Sequence, residues 1–97
     1  MMVVQRSRRV VETDGTAFRL TPTEYSMLVA LGGLGKGQLI TRELLIQATW
    51  GHTNLVPRDA INLKDLLRKL KKKVGVNFIQ ARRGYGYMLT EEIHFTD

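Results

Sequence analysis

Few side chains in this chain have the type and spacing that bond-making chemistry needs. His52 lies in a loop and His94 near the end of the chain, and neither stands in a metal-ligand pattern. Ser7 and Ser26 are the only serines, and the adjacent Glu91 and Glu92 point to opposite faces of a strand, too divergent for paired acid and base work. No cysteine is present, which removes thiolate metal sites, nucleophilic thiols and disulfides. Gly32, Gly33, Gly35 and Gly37 around Lys36 suggest a phosphate loop, but the spacing fails. Ala30 stands where the first glycine of that loop is required, and Gly37 where a Ser or Thr must follow the lysine. Neither an enzyme, nor a cofactor, nor a bound metal is expected.

The chemistry on offer is cationic. Between Arg58 and Arg83 stand Arg58, Lys64, Arg68, Lys69, Lys71, Lys72, Lys73, Arg82 and Arg83, opposed only by Asp59 and Asp65. The net charge of the chain is +6, so that segment carries the whole excess and the remainder is slightly negative. A polyanion is the natural partner. An anionic membrane surface would also attract such a segment, but its apolar face is needed for a core and is not free for lipid. No apolar run is long enough to span a bilayer, and the start Met1-Met2-Val3-Val4-Gln5-Arg6 lacks the apolar centre of a signal peptide. A soluble protein with no membrane partner is expected.

The elements that position these cations are legible from periodicity. Leu63, Leu66, Leu67 and Leu70 recur at helical spacing, with Val74 closing the row, so Arg58 to Val74 reads as a helix with one buried face. At about 100° per residue, Ile61, Lys64, Asp65, Arg68 and Lys72 fall on the opposite side, with Arg58 and Lys69 at its edge. Phe78 to Arg83 and Tyr85 to Thr90 read as strands around the Gly84-Tyr85-Gly86 turn, returning a basic hairpin beside the basic helix. Upstream, Arg9 to Thr13 and Thr16 to Leu20 flank the turn signal Asp14-Gly15 and form an antiparallel hairpin; Arg6, Arg8 and Arg9 are surface residues without an assigned task. Thr21-Pro22-Thr23-Glu24 is a capping box with proline in the first helical position. The helix it opens buries Tyr25, Leu28 and Leu31, with Met27 and Ala30 nearby, and ends at Gly32-Gly33. A flexible connection follows. Thr41 caps a second helix, buried through Leu44, Leu45, Ala48 and Trp50 and stopped by Gly51. With 97 residues and 43% hydrophobic content, this is one α+β domain over 1–97, with a core of about 10–90. Two helices joined by a loop, the second cationic and followed by a hairpin, make a winged helix-turn-helix.

Three blocks in order then carry a resemblance. Leu20-Thr21-Pro22-Thr23-Glu24-Tyr25 with Leu28, Ile40-Thr41-Arg42-Glu43-Leu44-Leu45 with Trp50-Gly51, and Arg83-Gly84-Tyr85-Gly86-Tyr87 together resemble the OmpR/PhoB-type winged-helix domain, the effector half of many bacterial two-component response regulators. The resemblance runs from about Val10 to Thr90. It implies an N-terminal antiparallel sheet, three helices and a C-terminal hairpin wing, with the third helix in the major groove of DNA and the wing at an adjacent minor groove. It also implies a cytoplasmic bacterial transcription regulator, a tandem dimer on repeat sites, and contact with RNA polymerase through the loop 51–57. The third helix departs from the family pattern: its usual Asp is Ala60, its His is Asn62 and its Arg after Leu is Leu67, while in the wing a usual Thr is Ala81. The core register is kept and the polar readout is not.

On this reading Ile61, Asn62, Lys64, Asp65 and Arg68 stand nearest the bases. Arg68 or Lys64 suits guanine, Asn62 adenine, Asp65 the amino group of cytosine and Ile61 a thymine methyl. Arg58, Lys69, Lys72, Lys73, Arg82 and Arg83 meet phosphates or the minor groove. Tyr87 is a core anchor behind the wing. Asp65 also has a purely structural alternative, an ion pair with Lys69 one turn away. Two other functions fit the same charge: a basic RNA- or ribosome-associated domain, against which stands the lack of exposed aromatic runs, and a winged-helix module for an acidic protein.

Overall fold

The computed structural model describes residues 2–51, 57–75 and 77–97. Two small sheets bracket three helices. The first contains β1 (Met2–Gln5), β2 (Val10–Thr13), β3 (Thr16–Arg19) and the last strand of the chain, β7 (Ile93–Thr96), in the order β3-β2-β1-β7. The second contains β4 (Leu39–Ile40), β5 (Ile79–Arg82) and β6 (Gly86–Leu89), in the order β4-β6-β5. Of the helices, α1 (Pro22–Leu34) lies between β3 and β4 in sequence, and α2 (Arg42–Trp50) and α3 (Pro57–Val74) between β4 and β5.

The predicted hairpin forms, with Val10 opposite Arg19 and Thr13 opposite Thr16. Two features go beyond it. β1 is an inner strand of the sheet, and β7 pairs with it in parallel, Met2 beside Ile93 and Gln5 beside Thr96. The directions of the strands sort charge along this sheet. Asp14 and Glu92 sit at the rim where β1 begins, whereas Arg6, Arg8, Arg9 and Arg19 gather at the rim where it ends, with Asp97 beside them. Arg6 stacks on Phe95 at 5.1 Å and Arg9 on Tyr25 at 5.4 Å, contacts that order two of the three turn arginines.

The α1 start is the capping box expected: the Thr21 hydroxyl accepts from the Glu24 amide, and the Glu24 carboxylate accepts from the Thr21 amide. The end is not as expected. Gly32 and Gly33 stay helical and the cap is Gly35, because the Phe95 ring of β7 packs against Gly32, where a Cβ would come within 2.3 Å of it. Glycine there makes room for a strand and does not terminate the helix. The connection after α1 is likewise ordered into β4, whose Ile40 is buried and pairs with Tyr87. In α2 the cap Thr41 and the left-handed Gly51 stop stand as predicted, but the buried face is rotated. Leu45, Ile46 and Thr49 point inward, while Ala48 is exposed and Leu44 is 57% exposed; Thr49 tolerates burial by donating to the Leu45 carbonyl. Of the loop 51–57 expected to meet RNA polymerase, residues 52–56 lie outside the described residues.

α3 buries Leu63, Leu67, Leu70 and Val74, the predicted row, with Leu66 half-buried at its flank. These side chains join Met27, Leu28, Leu31, Leu45, Phe78 and Leu89 in one core running between the sheets. At roughly 1.5–3 kcal/mol for each fully buried large apolar side chain, this core is the main force holding the cationic face of α3 outward.

Candidate nucleic-acid interface

The polar face of α3 exists because its apolar face is occupied. Ile61 is 67% exposed, and Asn62, Lys64, Arg68, Lys69 and Lys72 are also exposed, with Arg58 at the first turn. Ile61 stands on the charged side of the helix, opposite the row that enters the core. Asp65 is held among cations: Arg68 Nη2 donates to its Oδ1, and Lys69 Nζ lies 3.1 Å from its Oδ2. The Arg68 hydrogen bond, followed by that from Lys69, lowers the Asp65 pKa below the ordinary aspartate value. The structural pairing of Asp65 with Lys69 is therefore present, and Arg68 joins it.

The wing is β5, the Arg83–Tyr85 turn and β6. Its strands pair Ile79 with Leu89 and Arg82 with Gly86, and the Tyr85 amide donates to the Arg82 carbonyl at 2.9 Å. Gly86 fixes the wing to the helices: its φ is +140°, and a Cβ there would lie 2.1 Å from the Ile40 carbonyl oxygen. Tyr87 is buried, as expected of an anchor, and burial raises its phenol pKa, with Arg42 acting weakly in the other direction. Arg82 and Arg83 are exposed and have no carboxylate partner among the described residues.

One flank of α3 and the wing share a groove. Two adjoining clefts meet along it, both lined by Lys64, Ala81 and Tyr87. One continues along α3 past Arg68 and Lys71, the other toward Arg42, Arg82, Arg83 and the wing tip. The structure thus brings Lys64, Arg68, Arg82 and Arg83 together around a concave surface. It separates Lys73 from them. Lys73 Nζ is 2.8 Å from the buried Glu24 carboxylate and 3.3 Å from the Arg19 carbonyl, on the flank of α3 toward α1. This correction to the phosphate set rests on the partners that engage the Lys73 ammonium, the Glu24 carboxylate and the Arg19 carbonyl.

Sequence reasoning missed several residues of the groove, Lys71 and Glu43 among them. Arg42, the first residue of α2, lines the cleft beside the wing, and its side chain is about half exposed, 3.8 Å from Glu43. Tyr85, 74% exposed, forms the wing tip. A signal for Tyr85 existed: an aromatic between two glycines at a turn cannot reach a core.

The comparisons with known proteins agree with this geometry. The family model described as "Transcriptional regulatory protein, C terminal" matches residues 15–89. The chain belongs to this family. It is 38% identical over 77 residues to the alkaline phosphatase synthesis transcriptional regulatory protein PhoP of Bacillus subtilis, covering 74% of this chain and 31% of PhoP. It is 31% identical over 87 residues to the TorCAD operon transcriptional regulatory protein TorR of Escherichia coli K12, covering 90% of this chain and 37% of TorR. The chain thus spans about a third of the length of these relatives. Among solved structures, the DNA-binding domain of Bacillus subtilis CssR superposes with a TM-score of 0.77 at 26% identity, covering 93% of this chain and all of that one. The fold of this family member is the winged helix of response-regulator DNA-binding domains. β1, β2 and β7 of the first sheet lie outside the matched residues.

Proposed function

We propose that this domain binds double-stranded DNA sequence-specifically as the effector part of a bacterial transcription regulator of the two-component type. α3 enters the major groove, and the wing lies over the neighbouring minor groove. The observation that carries this reading is the pair of adjoining clefts that run from Lys64 and Arg68 on one flank of α3 to the wing arginines. Ile61, Asn62, Lys64 and Arg68 face the bases; Arg58, Lys69, Lys72, Arg82 and Arg83, with Arg42 and Tyr85 added from the geometry, meet the backbone or the minor groove. Selection of bound sites from random duplexes tests the reading, with single-stranded RNA as competitor. A recovered consensus that resists the RNA supports it; equal competition by RNA, or no duplex binding at low salt, refutes it. Arg68→Ala is expected to lose about 1–3 kcal/mol on the consensus and relax one position.

Copies of the domain bind repeated sites head to tail. The charge-sorted sheet supports this arrangement, since the arginine rim of one copy then faces the Asp14 and Glu92 rim of the next. The overall charge of +6 opposes such contact in free solution, and a duplex offsets it. Arg8→Glu is expected to abolish cooperativity on a two-site duplex and leave single-site affinity unchanged; Asp14→Lys in the neighbouring copy restores it. A loss of single-site affinity would instead assign the rim to phosphates. Contact with RNA polymerase through residues 51–57 rests on the resemblance alone.

A further inference from the structure

We infer that Asp65 is a positioning residue for Arg68, and that it sets the base preference of α3 through this neighbour without reading a base itself. The inference rests on the DNA-binding reading and names the device that makes that binding selective. Both carboxylate oxygens already carry a cation, Arg68 on Oδ1 and Lys69 on Oδ2. A cytosine amino group would therefore compete against two charge-assisted partners already in place. Arg68 is the side chain that gains. Its guanidinium has five N–H groups in a rigid fork and Asp65 engages only Nη2, so hydrogens remain to meet the two acceptors of a guanine edge. Arg68 is two-thirds exposed, and without Asp65 it would sample many rotamers over the groove. Held at i+3 from Asp65, it stays on the open face with Ile61 and Lys72.

Asp65 has a second effect on selectivity. It removes one positive charge from a face that otherwise attracts any phosphate backbone. That weakens sequence-independent binding, which depends on charge, and raises the ratio of specific to non-specific affinity. The residue is one expected from the sequence at the bases, but its role differs: it acts through Arg68 in place of accepting from cytosine.

The test is a double-mutant cycle read by base preference. Site selection and affinities at fixed salt are compared for the wild type, Asp65→Ala, Asp65→Asn, Arg68→Ala and the double variant Asp65→Ala with Arg68→Ala. Asp65→Ala and Asp65→Asn are expected to flatten the same base position that Arg68→Ala flattens, by about 3- to 10-fold. They also tighten binding to random duplex. In the Arg68→Ala background, Asp65→Ala has no further effect on preference. Asp65→Glu, which keeps the carboxylate, recovers part of the preference. A change at a different base position, or a change in base preference that persists without Arg68, makes Asp65 a base reader and overturns the inference, as does an unchanged preference in Asp65→Ala. Absence of any sequence preference in the wild type is a different result, and refutes the DNA-binding reading as well. All the substitutions are at solvent-exposed side chains, and thermal melts confirm that each variant is folded.

Discussion

At the scale of single residues, the site depends on two ionisable groups and two glycines. The Asp65 carboxyl is held below its ordinary pKa by Arg68 and Lys69, so its contribution to stability is present above the unfolded value and is lost as pH falls through the folded one. NMR titration of Asp65 is expected to give a midpoint below 3.8, returning to it when both cations are replaced by alanine. Tyr87 shifts the other way. Its buried phenol stays neutral while the unfolded chain ionises, so stability falls as pH rises above 10, and Tyr87→Phe should flatten that alkaline loss. The two wing glycines separate conformational freedom from space. Gly84 has φ +82° and open surroundings, so Gly84→Ala costs about 1–2 kcal/mol of backbone strain. Gly86 abuts the Ile40 carbonyl as well, so Gly86→Ala should cost more and displace the wing from α2, seen as a lower Tm together with weaker duplex binding.

At the scale of elements, the partner that the fold brings to each cation decides what that cation does. Lys72 has no ion-pair partner among the described residues, whereas Lys73 is tied to Glu24 in the cap of α1. Lys72→Ala should leave stability unchanged and reduce the salt slope of DNA binding by about 0.9. Lys73→Ala should do the reverse: it leaves the Glu24 carboxylate buried with only the Thr21 amide, at a cost of about 1–2 kcal/mol. That is less than a fully buried pair because Lys73 is one-third exposed, and the salt slope should not change. The sequence made the apolar stripe of α3 legible because leucine spacing directly encodes a face, and it made the Thr21 and Thr41 caps and the Gly51 stop legible because those residues act locally. It could not separate Lys72 from Lys73, since their difference lies in a carboxylate 49 residues away. It misplaced the inward face of α2 for the same reason: Leu44 and Ala48 are apolar, but Leu45, Ile46 and Thr49 are the ones that meet the core.

At the scale of the whole molecule, the first sheet is completed by the last strand. β7 was not predicted, because Ile93-His94-Phe95-Thr96 is a four-residue segment whose partner β1 lies at the other end of the chain, and Gly32 read as a helix stop because its packing partner Phe95 is equally remote. Phe95→Ala is therefore expected to lower global stability by about 1–3 kcal/mol and to leave the base preference intact, since the ring packs on Gly32 of α1 and under Arg6. Site selection and thermal melts on the same variant check both halves of this expectation. The parallel pairing of β1 with β7 also fixes where attachments to this fold would leave it. A group joined ahead of Met2 departs beside Asp14 and Glu92, whereas one joined after Thr96 departs beside the arginines, about 13 Å away for four strand residues. Two dyes placed there would report separately on the opposite ends of one sheet, and a cationic purification tag would sit far better at the first position than at the second.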